Sequence, residues 1–414
     1  MKKTLLLAAA CLAASLAQAA PPIQPEQLQL HVGVWPSNYL GLFNISMYNC
    51  SLFDGNIYAI QINFYGFGRY PSGSSILSAG VVETSRQTRM VSSFRGADSS
   101  TYMLASGGAT LTSFTRYDFD GTNPQDAPFP GNQAVESFDW VDNDTIICTD
   151  YTVKQRLYLV DVAAAPFALT TNTTWNANGY ITSHASTRIR NVRVGEGEGY
   201  SGYAYYGDNG VAANPKVYAL NLTNGVETEL GSWNGTLRTG FTSSFGLWTV
   251  VERGGYLYLQ SSDDGIQVYS MTDPTTMGSL YATYSPELLH SVTGTSPTYP
   301  PYYGFDVAPN GEGLLLGGYE GKFLSCRGGC RLHRGNGSSV GPSGPAPIPA
   351  KKKTPHTTRA TLTEISTPLN SAMPLSVVSG TMTVLPARAS GAVFLRSMNT
   401  ACWGASAARV ARPT

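Results

Sequence analysis

Charge is scarce in this sequence: 27 basic and 27 acidic side chains in 414 residues, or 13%, about half the usual share. With 42% hydrophobic and 11% aromatic residues, so low a charge excludes a disordered polyelectrolyte. No basic excess exists either, so the chain lacks the electrostatic footprint of a nucleic-acid binder. Beyond the N-terminus no apolar run is long enough to span a membrane. Sustained helices are disfavoured as well, because Gly, Pro, Thr, Tyr and Asn dominate where Ala, Leu, Glu and Lys would be needed. Of the six cysteines only Cys50 and Cys148 fall in the main body. Two do not define a disulfide framework, and both read as small buried apolar residues, with a bridge between them as the competing reading.

Catalytic and metal-binding motifs are missing too. Cys326-x-x-x-Cys330 with His333 lacks knuckle spacing and a second pair, so no metal is expected there. The body has three histidines, His31, His184 and His290, none in an H-E-x-x-H setting, and no G-x-S-x-G marks a nucleophilic serine. Gly197-Glu198-Gly199-Tyr200-Ser201-Gly202 satisfies G-x-G-x-x-G. A dinucleotide site would need a helix after it; the strand-like Tyr203-Ala204-Tyr205-Tyr206 follows instead, so a turn is expected. Asp118-Phe119-Asp120-Gly121-Thr122-Asn123 offers oxygen ligands but departs from the calcium-loop pattern. No cofactor is expected.

The net charge of zero hides three unlike pieces. Residues 1–19 place Lys2 and Lys3 before the apolar run Leu5–Leu16 and end in Ala17-Gln18-Ala19. That is the layout of a signal peptide cut near Ala19, and it predicts a secreted or periplasmic protein. Residues 20–325 hold 14 basic and 26 acidic side chains, a net −12. Residues 326–414 hold 11 basic and one acidic, a net +10, and contain no Tyr, Asp or Gln. They form a basic Pro/Ser/Thr-rich tail, and two readings compete for it: a disordered linker with a small surface module, or text read out of frame.

What the body does have is rhythm. Short β-favouring runs recur at Asn56–Ile60, Thr101–Leu104, Thr145–Cys148, Tyr203–Tyr206, Tyr256–Leu259 and Gly313–Leu316. Landmarks within them are spaced 43 to 58 residues apart, the length of one four-stranded sheet with variable loops. Candidate inner strands precede three of them: Ser137–Val141, Leu247–Val250 and Gly304–Val307. Strands such as Tyr117–Asp120, Tyr158–Asp161 and Tyr218–Asn221 follow, with an Asp or Asn placed to cap a turn.

This pattern resembles the broad superfamily of YVTN-, NHL- and WD40-like β-propellers, in which each sheet buries both faces against its neighbours. The resemblance covers residues 20–325 and implies an all-β fold with six visible blades. Terminal strands, including Leu28–Val32, are material for a seventh, and the rhythm stops near Leu324, as if the last blade were interrupted. A pair of β-sandwich domains is the competing architecture. Ser261-Ser262-Asp263-Asp264-Gly265-Ile266-Gln267-Val268 also resembles the Asp-box of sialidase-type propellers, with Val268 in place of the aromatic.

A propeller would gather at its channel the residues near the leading ends of its inner strands: Arg89, Glu136, Arg188 and Asp306. In Thr298-Tyr299-Pro300-Pro301-Tyr302-Tyr303, two prolines stiffen a loop whose Tyr299, Tyr302 and Tyr303 form a rigid aromatic platform suited to sugars or protein anchors. The expected function is therefore an exported binding module for a protein or a carbohydrate. The alternative is a lactonase- or polysaccharide-lyase-like enzyme with a carboxylate site, with or without Ca2+, at the channel; a bound metal with Glu136 and Asp306 converging within coordination distance would rank it above binding.

Overall fold

The computed structural model describes residues 21–34, 47–53, 56–61, 65–71, 81–107, 111–197, 199–211, 213–237, 246–261, 263–294, 304–308, 311, 313–317 and 323–328. Its strands form six antiparallel sheets. Sheet 1 comprises Met47–Phe53, Asn56–Gln61, Tyr65–Pro71 and Val81–Gln87. Sheet 2 comprises Met90–Arg95, Thr101–Ser106, Ser113–Asp118 and Gln125–Pro128. Sheet 3 runs through Val135–Trp140, Thr145–Asp150, Arg156–Ala164 and Phe167–Thr171, with Tyr180–Thr182 added beside its third strand. In sheet 4 the inner strand is split into Arg188–Ile189 and Arg193–Val194, both paired with Tyr203–Asn209; Lys216–Asn221 and Glu227–Ser232 follow. Sheet 5 comprises Thr249–Arg253, Tyr256–Ser261, Gly265–Asp273 and Thr276–Tyr284. Sheet 6 takes Gly304–Val307, Gly313–Gly317 and Phe323–Gly328 from the C-terminal side.

The inner strands touch in sequence from sheet 1 to sheet 6, and that of sheet 6 lies against that of sheet 1. Meanders stacked radially around a closed ring are a β-propeller. Two independent sandwiches are ruled out by this ring. Burial explains why the sheets need each other. On the second strand of sheet 3, Ile146 and Cys148 pack towards sheet 2, whereas Ile147 between them packs towards sheet 4. Leu257 and Leu259 face sheet 4, and Tyr258 faces sheet 6. With a side-chain period of two, both faces of these strands are apolar and each is covered by a different neighbour. Cys148 is a free thiol, fully buried among them, and burial pushes its pKa up. Cys50 lies on a strand whose side chains are outside the description.

Two expectations for the ends of the body are corrected. The strand Leu28–Val34 does not begin a seventh sheet; it is the fourth strand of sheet 6, pairing with Phe323–Gly328 from Leu28↔Gly328 to Val34↔Phe323. Sheet 6 is therefore not interrupted after its third strand, because its outer edge is supplied from the N-terminus. The strand Phe323–Gly328 runs past residue 325. Cys326, Arg327 and Gly328 pair with Leu30, Gln29 and Leu28.

One α-helix appears among the described residues, at Pro286–Thr293 between sheets 5 and 6. Its ends are specified locally: the Ser285 hydroxyl accepts from the Leu288 N–H, and Gly294 adopts φ +65 while donating to the His290 carbonyl. The Asp-box-like segment spans the end of Tyr256–Ser261 and the start of Gly265–Asp273, which pair antiparallel. Gly265 sits at φ +83, and a Cβ there would stand 2.1 Å from the Tyr284 carbonyl oxygen.

Candidate functional site

The inner strands carry two separate ionic clusters. The first lies at their leading ends. Glu136 is the second residue of its strand and is 1% exposed. Its Oε2 accepts from Arg89 Nη1 at 3.2 Å and Arg188 Nη2 at 2.7 Å, and its Oε1 from Arg190 Nη1 at 2.7 Å. Arg188 opens the first half of the split inner strand of sheet 4 and Arg190 directly follows that half, and both reach the same carboxylate. Aromatic faces complete the cage: Arg89 and Arg188 lie over Tyr151 at 3.9 and 5.2 Å, and Arg190 over Trp248 at 4.5 Å. A carboxylate held this way is an internal anion that positions three guanidiniums, and it is poorly suited to take a proton from a substrate.

The second cluster lies at the trailing ends, where the inner strands turn into the second strands. It lines a cavity of about 420 Å3. Asp139, Arg193, Arg253 and Asp306 come from four consecutive sheets, and Glu196 from the loop that follows Arg193. Asp139 accepts from the Trp140 and Val194 N–H groups at 2.9 and 2.8 Å. Asp306 accepts from the Val307 N–H at 2.8 Å and from Arg253 Nη2 at 3.2 Å, with Arg193 Nη2 at 4.0 Å. Arg253 also donates to the carbonyls of Val307 and Glu252 at 3.2 and 2.7 Å and pairs with Glu196 Oε1 at 3.0 Å.

Burial and charge oppose each other here. Desolvation raises the pKa of Asp139, although Arg193 and Arg253 favour its ionised form. Burial disfavours the Arg253 cation, but Asp306, Glu196, Asp139 and Glu252 outweigh it, and the net direction is upward. Glu196 is pushed up to about 7, first by desolvation and then by Asp306 and Asp139, against the pull of Arg253. Its side chain is nevertheless 42% exposed, because its outer end faces the cavity.

The loop carrying Glu196 is held by another carboxylate. Glu252, fully buried, accepts from the Glu196 and Gly197 N–H groups at 3.0 and 3.2 Å and from the Gly255 N–H at 2.8 Å. The described residues of the G-x-G-x-x-G run, Gly197 and 199–202, thus lie in a turn between two strands, as the flanking sequence predicts. Asp118 and Asp120 likewise serve their own turn, accepting from Asn123 and Thr122.

Of the sequence-predicted residues, Arg89, Glu136 and Arg188 come together. Asp306 does not join them; it pairs with Arg253 because it lies at the other end of its strand. Glu136 and Asp306, whose convergence would rank the enzyme alternative first, lie at opposite ends of their strands. Tyr299, Tyr302 and Tyr303 lie outside the described residues. Sequence reasoning missed Arg190, Tyr151 and Trp248 in the first cluster, and Asp139, Arg193, Glu196 and Arg253 in the second. One signal was available: the dipeptides Phe138-Asp139 and Phe305-Asp306 occupy two inner strands, and in each the Asp accepts from the next N–H. Among the described residues, no three His, Cys, Asp or Glu side chains are grouped to hold a metal ion.

No family model matches the chain, and no curated protein matches it. Among solved structures, the chain is similar to the Neurospora crassa Pan2 WD40 domain, at 10% identity and a TM-score of 0.43, over 75% of this chain and 99% of that domain.

Proposed function

We propose that the chain is an exported, six-bladed β-propeller that binds a protein or a glycan at the leading-end face of its ring, each of the six sheets being one blade. The observation that supports binding over catalysis is the state of Glu136. All three guanidiniums around it use it as an anchor, which leaves a rigid cationic rim with no free base. Arg188, whose side chain is 15% exposed, and the Tyr299–Tyr303 loop would offer hydrogen-bond donors and flat rings to the ligand.

The test begins with secreted material, whose first residue should be Ala20; an intact Met1 on soluble protein would remove the export step. The purified chain is then screened against glycan and protein arrays. Changing Tyr302 and Tyr303 to Ala should abolish the binding found and leave the melting temperature nearly unchanged. An equal loss of stability would show that the rings are core, and the platform would fail.

A further inference from the structure

We propose that the cavity at the trailing ends of the inner strands is a second binding site, selective for an organic cation, an alkylammonium or guanidinium group. It lies at the opposite end of the strands from the Glu136 cluster, so the two sites can fail independently. At about 420 Å3 it falls within the roughly 300–1,000 Å3 typical of small-ligand sites. Its walls combine Asp139, Glu196 and Asp306 with Arg193 and Arg253, while Trp140 and Val141 add apolar surface for an alkyl stem.

The sign of the ligand follows from which groups are still open to it. Arg253 is 4% exposed, and its nitrogens already face four acceptors: the carbonyls of Val307 and Glu252, and the carboxylates of Asp306 and Glu196. Arg193 is 3% exposed. Arg253 is thus fully engaged, and Arg193 faces the Asp306 carboxylate at 4.0 Å. Glu196 is open to the cavity at its outer end, and Asp139 is half-buried with one backbone donor on each oxygen. What the cavity offers is therefore acceptors. Three carboxylates against two guanidiniums leave the site one negative charge when all are ionised. The body around it is acidic as well, with 26 acidic and 14 basic side chains over residues 20–325, which steers cations towards it.

Proton linkage supplies a readout. The groups facing Glu196 are Arg253, Asp306, Asp139 and Arg193, and the balance among them holds its carboxyl at about 7. A cation would favour the ionised form, so binding should tighten as pH rises through 7. From pH 6 to pH 8 the ionised fraction climbs about tenfold, and affinity should rise by about the same factor.

The experiment is calorimetric titration of the chain from Ala20 to Thr414 with arginine, putrescine and N-acetyl-glycyl-lysyl-glycinamide, and with glucuronate as the anionic control. The cations should bind and glucuronate should not, with Kd about tenfold lower at pH 8 than at pH 6. Tight binding of the peptide alone would assign the site to a polypeptide side chain; equal binding of all three cations would assign it to free amines. Glu196→Gln, at an exposed position, should fold normally, weaken cation binding about tenfold and remove its pH dependence. The Tyr302 and Tyr303 double variant should bind cations as the parent does. Binding of glucuronate in place of the cations, or a Glu196→Gln variant with unchanged affinity and pH profile, would overturn the proposal.

Discussion

Replacing Glu136 by Gln should destabilise the protein by about 3–5 kcal/mol, the range for deleting one partner of a buried ion pair. Gln keeps the size and one acceptor oxygen but removes the charge that three guanidiniums share. Arg89 is 4% exposed, Arg188 15% and Arg190 12% along their side chains, so water cannot fully replace the lost anion. Mutual repulsion among the three adds to the desolvation penalty, and the rings of Tyr151 and Trp248 offset only part of it, at about 0.5–2 kcal/mol per contact. Since a domain's net stability is about 5–15 kcal/mol, the loss would be a large share of the total. Chemical denaturation of the parent and the variant measures it. A Glu136→Met, Arg188→Met, Arg190→Met combination separates charge from packing: it removes two of the cations along with the anion and should recover part of the stability. A loss below about 1 kcal/mol for Glu136→Gln would mean that solvent screens the cluster, and the rigid rim inferred from it would be lost.

The parts of the fold that were legible in the sequence are the second strands. Asn56–Ile60, Thr101–Leu104, Thr145–Cys148, Tyr203–Tyr206, Tyr256–Leu259 and Gly313–Leu316 all fall on them. These strands sit between two wedges of core, so both side-chain faces are apolar or aromatic and the run stands out. Inner strands are harder to read because the channel admits charge. Asp139, Arg193, Arg253 and Asp306 interrupt the apolar pattern where the chemistry resides. The split inner strand of sheet 4 is too short in each half to register at all. The helix Pro286–Thr293 was missed although Ser285-Pro286-Glu287 and Gly294 carry start and stop signals; the composition of the whole chain hid one local exception. The pairing of Leu28–Val34 with Phe323–Gly328 joins residues about 290 to 300 apart in the chain, and neither segment carries a mark of its partner. For the site, proximity to the leading ends correctly grouped Arg89, Glu136 and Arg188. It misplaced Asp306 because Gly304–Val307 is so short that its third residue already lies beside the trailing turn.

Closure by the N-terminal strand gives the other large expected effect. A chain lacking residues 20–34 should not fold into a cooperative unit. Leu28–Val34 contributes six paired residues to the edge of Phe323–Gly328. Ile23 and Leu28, 6% and 5% exposed, fill the core shared by sheets 5 and 6, and the Tyr284 hydroxyl donates to the Ile23 carbonyl. Exposing two aliphatic side chains costs about 1.5–3 kcal/mol each. Each lost ladder hydrogen bond adds about 0.5–1.5 kcal/mol. Together these match the whole stability of a typical domain, about 5–15 kcal/mol. The deletion also leaves the edge of Phe323–Gly328 open to pairing with other chains. The helix Pro286–Thr293, which rests against Leu28–Val34, would lose its support as well. Circular dichroism of the chain from residue 35 should therefore show a broad or absent melting transition and aggregation on warming. A synthetic peptide of residues 21–34, added in trans, should restore a sharp transition in a concentration-dependent way, because it supplies the missing strand without its covalent tether. If the shortened chain melts like its parent, sheet 6 is stable with three strands and the ring does not depend on N-terminal closure.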